Sequence, residues 1–163
     1  MHTQTNQGES GENPRLERAI LGLLINPDDQ RPWGEKELVL ELDRPATIEP
    51  ELDRLHDAGL IHRFCGLVSA THVAVRYYDI EQGHGHRGDD AELSLQEAIL
   101  SRVLASSEPH GSRQDLICEL GEDRKLTIID AMDDLELAGL LERSGEWVAP
   151  SMAARRLAQI MNS

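Results

Sequence analysis

Residues 53–63 read DRLHDAGLIHR, and residues 133–143 read DDLELAGLLER. Gly59 and Gly139 stand 80 positions apart, about half of the 163-residue chain. In each stretch a helical pattern runs up to Ala-Gly and then gives way to strand-like alternation. A glycine just past a helix end takes the left-handed conformation without a Cβ penalty, so each Gly marks a helix stop. The same offset pairs Leu55 with Leu135, Arg63 with Arg143, Val68 with Val148, Arg76 with Arg156 and Ile80 with Ile160. Upstream, a slightly smaller offset brings Ala19-Ile20 onto Ala98-Ile99 and Leu38 onto Leu116. Self-similarity on this scale means one structural unit written twice.

Working outward, both copies predict the same element order. PRLERAILGLLIN (14–26) has apolar residues at helical spacing, with Asn13 and Pro14 as N-cap and first residue. In the second copy, Ser94 and Glu97 read as a capping box before LQEAILSRVLA. A turn follows, RPWG or EPHG, then a short helix, 35–42 or 112–120. A third helix opens at Thr47 or Thr127, each expected as its N-cap. A hairpin comes next, turning at Cys65-Gly66 in one copy and at Ser144-Gly145 in the other. A fourth helix, capped by Thr71 or Ser151, closes each unit. Residues 1–13 form a polar tail, 14–81 the first unit, 82–92 a Gly-rich linker and 93–163 the second unit. The fold class expected is mainly α with small β-hairpins, α+β.

Composition narrows the functional classes. Aromatics are 3% and apolar residues 39%, so the core is built from Leu, Ile, Val and Ala, a mix that favours helices. No run spans a membrane and no signal peptide is visible, and Cys65 and Cys118 belong to no CxxC; a cytoplasmic chain with reduced thiols is expected. Cys118, next to Ile117, reads as a small core residue. Net charge is −14, and residues 1–82 and 83–163 each hold 8 basic and 15 acidic side chains. Such a chain is repelled by nucleic acid unless its cations cluster.

Helix, helix, helix, hairpin, helix is the order of a winged helix-turn-helix. LDRLHDAGLIHR and MDDLELAGLLER resemble the ending of the third helix in many winged-helix bacterial regulators. The acidic tandem arrangement is also similar to the kleisin-associated tandem winged-helix subunit of bacterial condensins, which works mainly by binding protein. The first resemblance implies that the N-terminal, outward part of the third helix enters the major groove while the hairpin touches the backbone. Carried over, it nominates Arg44, Thr47, Arg54 and Arg63 in the first unit. In the second it nominates Arg113, Arg124, Lys125, Thr127 and Arg143, the denser cluster. Acidic neighbours oppose both sets: Glu49, Glu51, Asp53 and Asp57 in one, Asp130, Asp133 and Asp134 in the other. Arg63 and Arg143 recur at one position, so pairing with a helix carboxylate competes with a phosphate contact. Arg76 and Arg156 recur likewise. Tyr77 and Tyr78 are adjacent on the fourth helix, so one is expected to pack inward and the other to meet the second unit or a second subunit.

Catalytic signatures are lacking: there is no Gly-rich phosphate loop, nucleophile elbow or HExxH. His84, His86, Asp89 and Asp90 in the linker lack the spacing of a metal site, so no metal or cofactor is expected. The leading expectation is a non-enzymatic DNA-binding protein, a bacterial transcriptional regulator, with the third helix and hairpin of the second unit as the stronger contact surface for double-stranded DNA. The alternative is an acidic protein-interaction module, an adaptor or chromosome-organisation subunit that does not touch DNA. A homodimer is compatible with either.

Overall fold

The computed structural model describes residues 12–29, 31–43, 47–82, 90–106 and 111–163. It is mainly helical with two small antiparallel sheets, an α+β fold. The first series of elements is α1 (Pro14–Ile25), β1 (Trp33–Gly34), α2 (Glu35–Glu41), α3 (Glu49–Asp57), β2 (Ile61–Phe64), β3 (Leu67–Ala70) and α4 (His72–Gln82). The second is α5 (Asp90–Ala105), β4 (Gly111–Ser112), α6 (Arg113–Leu120), α7 (Lys125–Leu137), β5 (Leu141–Ser144), β6 (Trp147–Pro150) and α8 (Met152–Met161). The order repeats, apart from a 3-10 turn at Glu122–Arg124 before α7.

Each expected hairpin is one side of a three-stranded sheet, ordered β1-β3-β2 and β4-β6-β5. The RPWG turn supplies a strand: Trp33 pairs with Val68 and Gly34 with Leu67. Gly59 and Gly139 take φ of +74° and +77°, as the helix-stop reading requires. Asn13 caps α1, and Ser151 caps α8 by accepting the Ala154 N–H at 3.1 Å. The Thr71 hydroxyl donates to the Gly59 carbonyl at 2.8 Å and so ties the start of α4 to the helix stop.

Five local expectations are corrected. Helix α3 begins at Glu49 with Ile48 as its N-cap, so Thr47 stands one residue ahead of the cap. Helix α5 begins at Asp90, so Ser94 lies inside it and makes no capping box; the Asp-Ala-Glu stretch ahead of it is already helical. Helix α7 begins at Lys125 because the 3-10 turn leads the chain directly into it, which puts Thr127 within its first turn. The second hairpin turns at Gly145-Glu146, one residue later than expected, because Ser144 pairs with Trp147. Cys118 is exposed, with its thiol 3.4 Å from Glu122; its repeat counterpart Leu40 is exposed as well.

One apolar core runs through both copies. Helix α1 packs on α8, and α4 packs on both α5 and α8. The polar contacts across this seam are reciprocal. Arg156 of α8 clasps Glu17 of α1 at 2.7 and 3.0 Å, and Arg76 of α4 donates to Gln96 of α5 at 2.8 Å. Glu17 and Gln96 occupy equivalent positions in the repeat, as do Arg76 and Arg156. The seam is therefore organised like an isologous dimer interface within one chain. Glu17 and Gln96 are both fully buried. Glu17 also accepts from Arg54 Nε at 2.7 Å, so one carboxylate joins α1, α3 and α8. That hydrogen bond, ahead of the charge itself, raises the Arg54 pKa.

Gly22 lies inside α1, and a Cβ built there meets nothing within 4 Å. Gly22→Ala is expected to raise stability by about 0.5–1 kcal/mol through helix propensity. Urea denaturation with an unchanged m-value checks it.

Candidate functional site

The second and third helices and the hairpin of each copy carry the residues nominated from the sequence. In the first copy the centre is Arg63 on β2. The sheet register sets Arg63 against Val68, which turns its side chain toward α2 and α3. There it meets three carboxylates: Glu49 at 2.5 Å, Asp53 at 2.5 Å and Glu35 at 2.8 Å. Hydrogen bonding to Glu49, then to Glu35, pushes the guanidinium pKa further up. One cation among three anions leaves this surface negative. In the second copy Arg143 is held by Asp133 at 2.7 Å and by Glu136. Both hairpin arginines thus do the same job, bracing strand to helix, and neither projects an uncompensated charge.

The remaining cations disperse. Arg54 points into the seam toward Glu17. Arg113 lies 3.7 Å from Glu146. Arg124 donates to the Leu120 carbonyl at 3.0 Å and so closes the turn before α7. Lys125, Leu126 and Thr127 are exposed at the start of α7, and Thr47 is exposed before α3, where it accepts from the Glu49 N–H at 3.2 Å. Arg44, the linker histidines His84 and His86, and Asp89 lie outside the described residues, as does the Asp90 side chain. Tyr77 is buried and Tyr78 half-buried, and both border a cavity that α8 also lines. Burial, then the Glu81 charge, pushes the Tyr77 hydroxyl up to about 12.

Sequence reasoning missed the apolar side chains on this surface. Phe64 and Leu67 face each other across the first hairpin and are 78% and 46% exposed. Trp147, the repeat counterpart of Leu67, is 55% exposed. Leu126, at the start of α7, is 77% exposed. The strand pattern carried the signal: residues alternating with buried Val68 or Val148 must face outward, and here they are apolar. Among the described residues no three His, Cys, Asp or Glu side chains are placed to hold a metal ion, and no helix is long and apolar enough to cross a membrane.

Comparison of the chain with protein-family models, with curated proteins and with solved structures finds no match.

Proposed function

We propose that the chain is a tandem winged-helix protein whose hairpin surfaces bind a protein partner. The observation that carries this reading is the Arg63 cluster. The arginine best placed to approach phosphate is enclosed by Glu35, Glu49 and Asp53, and the flanking exposed side chains are Phe64 and Leu67. Phosphate binding needs cations that can release counterions, and a surface with excess carboxylate opposes it. An apolar patch rimmed by charge suits a protein interface. The repetition of an exposed apolar residue at Leu67 and Trp147 supports the same use in both units.

A DNA-binding reading stands second. It is favoured by one observation, the exposure of Arg124 and Lys125 side by side where α7 begins, the position at which a winged helix offers cations to a phosphate.

Fluorescence anisotropy with random duplex DNA at ~50 mM salt separates the two. No saturable binding is expected. A measurable affinity that falls steeply with salt, and that Arg124→Gln with Lys125→Gln weakens, would move the function to DNA. On the protein side, a photo-crosslinking residue placed at Leu67 or Trp147 is expected to trap a protein in the native host. The same label at Arg15, on the exposed side of α1, is expected to trap none. Equal trapping at both places would remove the hairpins as the interface.

A further inference from the structure

We infer that the seam holds a binding site for a small carboxylic acid with an apolar body, a short aliphatic or single-ring aromatic acid. A cavity of about 130 Å³ lies where α1, α4 and α8 meet. Its floor is apolar and buried: Leu21, Ile25, Ala74 and Leu157. A space of this order takes a molecule about the size of benzene. Its rim is exposed and carries Arg18, Gly22 and Gln82.

The internal repeat supplies a comparison within the same molecule. The equivalent space on the other side of the seam, among α4, α5 and α8, is wider, at about 680 Å³. There Ser101 stands in place of Gly22, Ala158 in place of Tyr78, and Glu81 in place of Met161. The α5 residue equivalent to Arg18 is Glu97. One groove has therefore become the narrower, with a cation at its mouth where the repeat has Glu97, while the wider groove is lined by both Glu81 and Arg155. Among the described residues Arg18 has no carboxylate in ion-pair range, so its guanidinium is available to a ligand carboxylate. The absence of a side chain at Gly22 keeps the mouth open. Tyr78 and Gln82 add polar atoms beside it. A ligand seated here touches α1 and α4 of one unit and α8 of the other, and so tightens the junction between them. The site does not depend on what the hairpin surfaces bind.

The test is a titration of the full chain with hexanoate and with benzoate, followed by thermal unfolding and ligand-observed NMR. Benzamide and benzylamine serve as neutral and cationic controls. Both acids are expected to bind saturably and raise Tm, and the amine is expected not to. Arg18→Gln should weaken benzoate by about tenfold, the loss of one charge-assisted hydrogen bond. Gly22→Leu should close the mouth and abolish binding while leaving Tm of the free protein at or above its original value. The site is overturned if neither acid binds up to ~10 mM, if benzylamine binds as well as benzoate, or if binding survives both substitutions.

Discussion

Glu17→Ala is expected to lower the unfolding free energy by about 3 kcal/mol, the low end for breaking a buried ion pair by removing one partner. Glu17 is fully buried and receives hydrogen bonds from Arg54 and Arg156, which reach it from α3 and α8. Without it, two guanidiniums face each other in the seam. They are 27% and 17% exposed, so water relieves part of the cost, which keeps the effect from reaching the upper end. Glu17→Gln, which copies the second unit's Gln96, should cost less than Ala because an amide oxygen still accepts one bond. Urea denaturation followed by circular dichroism reads both. The loss should persist in high salt, because a buried pair is screened little. A cost below that of a typical surface pair would mean that the clasp does not hold the seam.

Gly139→Val is expected to cost several kcal/mol, and Gly59→Val distinctly less. Both glycines have φ near +75°, where a β-branched residue is strained by about 1–3 kcal/mol. Their surroundings differ. A Cβ at Gly139 would lie 2.8 Å from Val73 Cγ2, while a Cβ at Gly59 meets nothing within 4 Å. Overpacking adds about 1–3 kcal/mol at Gly139 alone. The reason lies across the seam: Val73 on α4 reaches Gly139, whereas its repeat counterpart on α8 is Ala153, a smaller residue. Val73→Ala combined with Gly139→Val should recover most of the packing part. Thermal unfolding of the three variants tests it, and equal losses at Gly59 and Gly139 would show that Val73 does not press on the helix stop.

The recurring LxxLxxxG pattern made the element order legible because helix stops and hairpins are decided by local residues. The short strands β1 and β4 were not, since two residues carry no period and gain strand character only by pairing with β3 and β6. The start of α7 was misplaced because a 3-10 turn obeys no capping signal. At the candidate surface, the residue types were legible and their partners were not. Arg63 could be named from its recurrence, but the convergence of Glu35, Glu49 and Asp53 on it comes from three separate elements. Arg54 read as an outward residue of its helix. It turns inward because Glu17, 37 positions earlier, lies buried beside it.

The reciprocal seam has a genetic consequence. In a dimer of identical chains every substitution is made twice, so a change that helps one side of an interface is forced on the other. Joining the two halves in one polypeptide removes that constraint. Glu17 can acquire a second arginine while Gln96 stays neutral, and Gly22 can open one groove while Ser101 lines the other. Each half is free to drift toward its own task, provided that the contacts shared across the axis continue to match.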